Sequence, residues 1–257
     1  MVGECVQLEL ATCESTNEEL KKLASQGVVS RSSVLSKTQT AGRGRQGRTW
    51  QSDEGNLFLS FLYEIPSAVG AQEFRATWIP IIVGMGLIKA IRQFSAELGA
   101  RAFLKWPNDL VFRRPESFAK CGGILCELVS LPDRRVAIIG VGVNVEHSPE
   151  LGDRETTSLK SELVGATPLP SVAQLRDLLI SHSFELLREL EVRGSVFLEK
   201  EFFRYSLNQV GENIKWSDKD STSQGGQVAG LGSFGELIVE QRDSNGNPRL
   251  VSLFSVS

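Results

Sequence analysis

The sequence has few of the residues from which metal sites and disulfide frameworks are made. Its 257 residues include two histidines and four cysteines. His147 and His182 are far from any cysteine and form no H-E-x-x-H arrangement, and no C-x-x-C pair occurs. A zinc site is therefore not expected. The cysteines are predicted to be small buried apolar side chains. His182 follows the pattern of a leucine-rich helix, and we expect it at the edge of the core rather than in catalysis.

Long hydrophobic runs and an export signal are also missing. The longest apolar stretch, from Trp78 to Ile88, is interrupted by Pro80 and by glycines, whereas a membrane-spanning helix needs about 20 apolar residues. The N-terminal segment contains neither the basic nor the apolar region of a signal peptide. A cytoplasmic protein without a membrane anchor is predicted.

An excess of positive charge is absent as well. The net charge is −3 and the pI is about 5.6, so the chain as a whole is not expected to attract nucleic acid. Any basic function has to be local. With 41% hydrophobic and 23% charged residues, the composition is that of a globular protein with one large domain, or with a large and a small one.

Hydrophobic periodicity predicts an α+β fold. We expect a short helix over 15–27, capped by Ser15 or Thr16 with Glu18 or Glu19 three residues later. A strand apolar on both faces, and so central, is predicted over 56–64. The other predicted elements are strands over 32–40, 101–112, 120–130 and 134–145, a long buried helix over 75–98 that ends at Gly99, and one or two amphipathic helices over 172–205, broken near Gly194.

The C-terminal region has a different pattern. From about Gly211, short β-type stretches alternate with Gly and Asn-Gly turns, which predicts a separate small β-barrel of about fifty residues. We therefore expect two domains, 1–208 and 209–257.

Residues 40–50, TAGRGRQGRTW, form what we name the arginine loop. Gly42, Gly44 and Gly47 spell a dinucleotide-binding fingerprint, but such a turn must open a helix, and here a turn and a strand follow. A kinase glycine loop would require later H-R-D and D-F-G motifs, which the sequence lacks. Glycines let backbone N–H groups approach an anion, and arginines supply forked donors. We therefore predict an anion-binding loop in preference to a solvated basic loop.

Three further segments place polar groups next to strands. KWPND, residues 105–109, ends a strand, and Pro107 forces an extended turn. Gly122 and Gly123 follow Lys120 and leave room for a flat or linear ligand. Asn144 ends an apolar strand and needs partners that a nucleotide or its phosphates could supply. We expect all three segments to face the same site as the arginine loop.

These clusters, in this order, resemble the biotin–protein ligases, also called holocarboxylase synthetases. The segments that carry the resemblance lie between about residues 8 and 160: STNEEL, TQTAGRGRQGRTW, GNLFLSF, KWPNDL, KCGGILCE and GVGVNV. The resemblance implies a mixed β-sheet with flanking helices, of the class II synthetase-like, biotin/lipoate ligase type. A small SH3-like β-barrel would follow this catalytic domain.

The resemblance also implies a two-step reaction. Biotin's carboxylate attacks the α-phosphate of MgATP, giving biotinyl-5′-AMP and pyrophosphate. A lysine of a biotin carrier domain of a carboxylase then attacks this anhydride, giving an amide and AMP. Magnesium would be held mainly by the ATP phosphates, with no metal site in the protein.

Roles follow from the resemblance residue by residue. Arg45 and Lys120 are expected to be catalytic, poised between the biotin carboxylate and the α-phosphate, whereas Asp109 is given no role. The residues expected to bind biotin are Ser15, Thr16, Asn17, Gln39, Gly42, Arg43, Gly44, Arg45, Lys120 and Gly123. Those expected to bind ATP are Arg45, Arg48, Trp50, Lys105, Asn108, Lys120 and Asn144, with Trp50 near the adenine.

Two departures from the family pattern bear on architecture. Residues 113–118 lengthen the connection between KWPND and Lys120, and are expected to bulge at the surface. About eight residues precede the first strand, which leaves no room for the N-terminal helix-turn-helix domain of those members that repress transcription. A monofunctional enzyme is expected. Family members can also dimerise by sheet extension, so the resemblance allows a homodimer.

Three alternatives remain. A lipoate–protein ligase or octanoyltransferase would share the fold and the acylation of a carrier lysine. A nucleic-acid-binding protein could use the arginine loop, but acidic residues outnumber basic ones from Gly211 to Ser257, which disfavours contact with a phosphate backbone. A biotin-binding module would bind biotin without turning over ATP.

Overall fold

The computed structural model describes residues 4–66, 76–152, 154–165, 168–217, 223–243 and 246–254. These residues form two β-sheets and six α-helices. The strands are β1 (Gln7–Cys13), β2 (Ser33–Gln39), β3 (Leu57–Ile65), β4 (Ala102–Lys105), β5 (Asp109–Arg113), β6 (Phe118–Ser130), β7 (Arg135–Val143), β8 (Asn213–Ser217), β9 (Ser223–Leu231), β10 (Leu237–Arg242) and β11 (Pro248–Leu253). The helices are α1 (Thr16–Ser25), α2 (Ile79–Phe94), α3 (Ala96–Arg101), α4 (Leu159–Glu162), α5 (Val172–Arg193) and α6 (Ser195–Phe203).

The larger sheet has seven strands in the order β1-β2-β3-β7-β6-β5-β4. β1 and β2 are parallel, and every other pair in this sheet is antiparallel. The prediction of a mixed sheet with flanking helices is therefore confirmed. So is the central position of β3, because each of its residues from Leu57 to Tyr63 is buried.

The two faces of this sheet are covered differently. One face carries the large core, in which Leu59, Ile139 and other side chains pack with α2 and α5. The opposite face carries a smaller cluster, in which Leu62 and Ile138 pack against Leu20 of α1. Because side chains alternate between the faces of a strand, Phe58, Ser60, Gly140 and Gly142 belong to the same face as this smaller cluster. α1 thus covers only part of that face.

The extent predicted for the long helix is wrong. α2 ends at Phe94, and Ser95 is extended, with φ −141°, where its side chain accepts a hydrogen bond from Leu98 N and caps α3. Gly99 lies inside α3, where a Cβ would come within 2.6 Å of Arg92 Cα. This glycine serves the close packing of α3 on α2, and the hydroxyl of Ser95 divides the predicted helix in two. Residue 75 lies outside the described residues.

The strand predicted over 101–112 is also wrong, because the segment is a hairpin. β4 and β5 are antiparallel, with Lys105 opposite Asp109. The turn between them contains the cis peptide Trp106–Pro107. Apolar residues continue on both sides of the turn, so periodicity alone could not separate the two strands. The predicted break near Gly194 is confirmed, since α5 ends there at a φ of 74°.

The predicted cap of the first helix is corrected as well. Ser15 is the N-cap of α1, but its side chain makes no capping hydrogen bond. Gln39 Oε1, from β2, instead accepts a hydrogen bond from Thr16 N at 2.9 Å. A tertiary contact therefore replaces the local capping box. The end of the helix is as predicted, with Gly27 at a φ of 96°.

The smaller sheet is antiparallel, in the order β11-β10-β9-β8, and fits the predicted SH3-like β-domain. It is not a separate body, because Trp216 and Val239 belong to the same core cluster as α2 and α5. Two indole N–H groups join it to the larger sheet and α2: Trp106 Nε1 donates to Gly235 O at 2.8 Å, and Trp78 Nε1 donates to Ser233 O at 3.1 Å. The division at residue 208 stays a prediction.

Candidate active site

Glycines in adjacent strands create a depression on the face that α1 leaves uncovered. Gly142 of β7 pairs with Phe58 of β3 and with Gly123 of β6, and Gly123 pairs with Asp109 of β5. Without side chains at 123 and 142, the sheet surface is low at this point. A cavity of about 660 Å³ lies above it. All the predicted site residues except Gly42 and Lys105 line this cavity.

The arginine loop forms one wall as a narrow hairpin. Trp50 N donates to Gly42 O at 2.9 Å, and Gly44 N donates to Arg48 O at 2.7 Å. The tip is a short 3₁₀ turn, Arg45–Gly47, in which Gly47 has a φ of 74°. At the base, a Cβ on Gly42 would lie 2.5 Å from Trp50 O. Gly42 therefore serves the loop's closure, and its contact with biotin stays a prediction.

The indole of Trp50 packs against the glycine floor. A Cβ on Gly142 would be 2.5 Å from Trp50 Cε2, and one on Gly123 would be 3.2 Å from Trp50 Cζ3. The indole Nε1 is buried and has no hydrogen-bond partner. A buried N–H group without a partner is destabilising, because it has lost its hydrogen bond to water and gained none in return. The two glycines therefore make room for the indole of Trp50, whose Nε1 is a donor that a ligand could satisfy.

The two predicted catalytic cations are held by neighbouring residues of one turn. Arg45 Nη1 donates to Asn108 Oδ1 at 2.8 Å, and Lys120 Nζ pairs with Asp109 Oδ1 at 2.7 Å. Lys120 also lies over the Trp50 ring, 5.6 Å from its centroid. Asn108 is itself fixed, because its Nδ2 donates to Ile124 O at 2.8 Å. Through KWPND, the sheet thus positions both cations at one cavity.

A buried polar cluster lies on the same sheet face, two residues further along β3 and β7. Ser60 pairs with Gly140, and its hydroxyl lies 2.7 Å from Thr16 Oγ1 and 2.5 Å from Asn17 Oδ1. Gln39 Oε1 accepts hydrogen bonds from Thr16, and Gln39 Nε2 donates to Ser52. At the strand rise of roughly 3.3 Å per residue, this cluster lies about 7 Å along the sheet from the glycine floor.

Lys105 is not among the residues that line the cavity, although it pairs with Asp109 and shares its sheet face. Its Nζ lies 4.6 Å from the centroid of the Phe118 ring, and burial lowers its pKa, with Lys120, Arg154 and Arg48 adding to the effect and Asp109 opposing it. The reason is the hairpin: Lys105 is the last residue of β4, an edge strand, and β5 lies between it and the glycine floor.

Two other predictions about individual residues need correction. Gly122 does not face the cavity, since a Cβ there would meet Gly142 O, Leu110 and Val143. Asn144 does line the cavity, but its Nδ2 already donates to Thr157 O at 3.0 Å. A ligand is not required to satisfy that donor.

A segment after β7 closes another side of the cavity and was missed by sequence reasoning. Pro149, Leu151, Arg154 and Thr156 line the cavity. The segment is joined to β6 at Lys120, whose N donates to Glu155 O at 2.9 Å and whose O accepts from Thr157 N at 2.9 Å. No periodic pattern marks residues 149–156, so the sequence contained no signal for them.

Acidic groups are scarce at this site. Among the lining residues that the structure describes, Asp109 is the one carboxylate. Within the described ranges, no group of three or more His, Cys, Asp or Glu residues could hold a metal ion. A helix long and apolar enough to cross a membrane is likewise absent from the described residues. Residues 114–117 connect β5 to β6, and the segment 113–118 is largely exposed, as predicted for a surface bulge.

The fold is that of the biotin protein ligases. The structure of "Biotin protein ligase from Aquifex aeolicus in complex with biotin and ATP" superposes with a TM-score of 0.73, covers 98% of this chain and 96% of the other, and has 23% sequence identity. The biotin protein ligase from Leishmania major, solved with biotinyl-5-AMP, gives a TM-score of 0.64 at 23% identity and covers 96% of this chain and 98% of the other.

The chain belongs to the Biotin/lipoate A/B protein ligase family, whose family model matches residues 10–144. It is 31% identical over 186 residues to a biotin–[acetyl-CoA-carboxylase] ligase of Mycobacterium tuberculosis, covering 72% of this chain and 62% of the relative. It is 35% identical over 164 residues to the enzyme of the same name from Paracoccus denitrificans, covering 63% of this chain and 61% of the relative. The matches thus span less than two thirds of either relative's length.

Proposed function

We propose that this protein is an ATP-dependent biotin–protein ligase that joins biotin to a lysine of a biotin carrier domain. The observation that supports this most directly is the pair of cations, Arg45 and Lys120, held by Asn108 and Asp109 at one cavity. Two anions, a carboxylate and a triphosphate, must approach each other in the first step. Fixed positive charge in a partly dry site favours that approach far more than it would in water.

The first half-reaction follows from this placement. A carboxylate oxygen of biotin attacks the α-phosphorus of ATP, the bond to the bridging oxygen breaks, and pyrophosphate leaves. Arg45 and Lys120 would stabilise the charge that develops on the phosphoryl oxygens. In the second half-reaction, a lysine amine attacks the acyl carbon, loses a proton and displaces AMP. Alignment contributes strongly to both steps, since effective molarities reach ~10⁵–10⁸ M.

The two substrates are assigned to different ends of the cavity, biotin to the polar cluster and ATP to the glycine floor. Thr16, Asn17 and Gln39, with Ser60, offer donors and acceptors suited to a ureido ring, and they lie along the sheet from the two cations. We assign this end to biotin. Arg48, Asn108 and Asn144 remain assigned to ATP, and Trp50 to the adenine side.

Magnesium enters this proposal as the companion of ATP. Asp109 is engaged by Lys120, so the described lining residues offer no free carboxylate for a protein-held ion. A magnesium ion carried by the phosphate oxygens fits this site, and it would neutralise charge on the triphosphate. We propose the cytoplasm as the compartment and a biotin carrier domain as the acceptor. A homodimer formed by strand pairing would use the sheet edge at β1, because residues 205–207 already hydrogen-bond to the outer edge of β4.

The decisive experiment uses ATP labelled at the α-phosphate, with the pure protein, magnesium and either biotin or lipoate. A labelled acyl-adenylate that needs biotin, and that disappears when apo carrier domain is added, would support both half-reactions. An adduct with lipoate alone would keep the fold and change the substrate. If neither acid gave an adduct, the protein would be a binding module and the proposal would be wrong.

A further inference from the structure

A charged cluster beside the cavity joins three separate parts of the chain. Glu127 lies on β6, opposite Ile138 of β7. Its carboxylate accepts hydrogen bonds from Asn17 Nδ2 at 2.7 Å and from Lys21 Nζ at 2.8 Å, and lies 3.7 Å from Arg43 Nη2. α1, β6 and the arginine loop therefore meet at one side chain. Glu127 is not among the residues that line the cavity.

The first consequence concerns the orientation of the Asn17 amide. An ionised carboxylate can only accept hydrogen bonds, so Glu127 requires the NH₂ end of Asn17 to face it. The Oδ1 end then lies 2.5 Å from Ser60 Oγ. Asn17 lines the cavity and is 3% exposed. Glu127 thereby determines which donor and which acceptor of this amide remain for a ligand.

The second consequence concerns the arginine loop. Arg43 also pairs with Glu18 of α1, so the loop is held by two carboxylates from different elements. Lys21 lies 2.9 Å from Glu18 and completes a cluster of two positive and two negative charges. The Arg43 side chain is 44% exposed, and exposed ion pairs contribute roughly 0–1 kcal/mol to stability. The cluster is therefore better suited to fixing positions than to stabilising the fold.

Glu127 keeps its charge at neutral pH. Burial alone would raise the pKa of this carboxyl, but the hydrogen bonds from Lys21 and Asn17 and the nearby Arg43 together hold the pKa below its usual range. Glu18 is the other charged group in contact with these cations.

We propose that Glu127 is a positioning residue for substrate binding, which sets the orientation of the Asn17 amide and holds Arg43, and with it the arginine loop, against α1. The inference rests on the proposed function in one respect: the substrate that Asn17 contacts is biotin. The hold on the loop does not depend on that assignment, so the two can be tested separately.

The test compares Glu127→Gln with Glu64→Gln in the full-length protein. Both changes remove a partly buried carboxylate from an ion pair with an arginine, since Glu64 pairs with Arg134 away from the cavity. Biotin affinity is measured by calorimetry, KM for ATP by pyrophosphate release, and loop mobility by the rate of trypsin cleavage at Arg43, Arg45 and Arg48. A third variant, Arg43→Gln, alone and combined with Glu127→Gln, tests their coupling.

We expect Glu127→Gln to weaken biotin binding about tenfold, the order expected for a hydrogen bond to a charged group, with little change in KM for ATP. Trypsin should cleave the arginine loop several-fold faster in Glu127→Gln, and biotin should protect the loop less than in the wild type. The double variant should lose less biotin affinity than the sum of the losses in the two single variants. If Glu64→Gln weakened biotin binding as much as Glu127→Gln does, the effect would be one of general stability and the inference would be overturned. Unchanged biotin affinity and loop cleavage in Glu127→Gln would overturn it as well. If wild type formed no adenylate, the proposed function would fail, whereas faster cleavage confined to Glu127→Gln would still support the hold on the loop.

Discussion

Lys120 and Asp109 form an ion pair of 2.7 Å across the bulge between β6 and β5, next to Gly123, with Lys120 Nζ 5.6 Å from the centroid of the Trp50 ring. Both side chains are mostly buried, with 19% and 23% of their surface exposed. The ion pair holds the Lys120 ammonium group at the cavity, where a bound anion would contact it. Because the group is already in position, it need not reorganise when negative charge develops nearby.

Lys120→Ala should slow adenylate formation about 10²-fold, the scale seen when one preorganised donor to a developing anion is lost. The measurement is biotin-dependent pyrophosphate release at saturating substrates. Lys22→Ala is the control, because Lys22 is a solvent-exposed cation on α1 whose partner is Glu19. Near-normal release by the Lys120 variant would remove this residue from the mechanism.

Arg45→Ala should cost a similar ~10²-fold, whereas Arg45→Lys should recover only part of the rate, because an ammonium group lacks the planar fork of a guanidinium. The guanidinium now donates to Asn108 Oδ1, so Asn108→Ala should produce a smaller loss by freeing Arg45 to move. Single-turnover kinetics of adenylate formation would rank the three variants. Full activity of Arg45→Lys would show that charge alone is needed.

Gly142→Ala should displace Trp50, because the new Cβ would lie 2.5 Å from Cε2 of the indole. If the ring cannot move, overpacking of this kind costs about 1–3 kcal/mol of stability. If it moves, stability is kept while substrate affinity falls. Gly152→Ala is the matched control, since a Cβ there meets nothing within 4 Å. Thermal unfolding and biotin titration distinguish the outcomes, and wild-type values for both would contradict the packing of Trp50 on this floor.

The cysteines should react with iodoacetamide in the order of their exposure. Cys5 is exposed, whereas Cys121 is buried, and burial raises the pKa of the Cys121 thiol well above its usual range. Burial also raises the pKa of Cys126 to about 12. Because the thiolate is the reactive form, mass spectrometry of protein labelled at pH 8 should find Cys5 modified first. Early labelling of Cys121 would mean that β6 opens readily.

The stability that Glu127 contributes should depend on pH in a defined direction. Its pKa in the folded protein lies below its usual value of 4.5, so the contribution is present above about pH 4.5 and is lost as pH falls through the folded pKa. The difference in melting temperature between wild type and Glu127→Gln should therefore be constant from pH 7 to about pH 5 and shrink below that. A difference that grew with acidity would indicate a protonated Glu127 at neutral pH.

Much of the site could be predicted from the sequence because its segments are local. Polar residues stand next to a predicted strand in the arginine loop, in KWPND and at Lys120. The structure brings Arg45, Asn108 and Lys120 to one cavity. Failures arose where a distant partner decided the outcome. Gln39 takes the helix donor that a capping serine would have taken, and Thr157 satisfies Asn144.

By itself, the sequence determined the elements whose pattern is carried by neighbouring residues: the doubly apolar β3, the helix break at Gly194 and the glycine-rich turns of the C-terminal sheet. It also determined which residue types were available to hold anions. Only the tertiary structure decided that Lys105 lies outside the cavity lining although it shares a sheet face with Asp109, that Gly123 and Gly142 form a floor under Trp50, and that Glu127 meets Asn17 and Arg43. These relationships depend on strand order and register, which join residues far apart in the chain and leave no periodic trace in it.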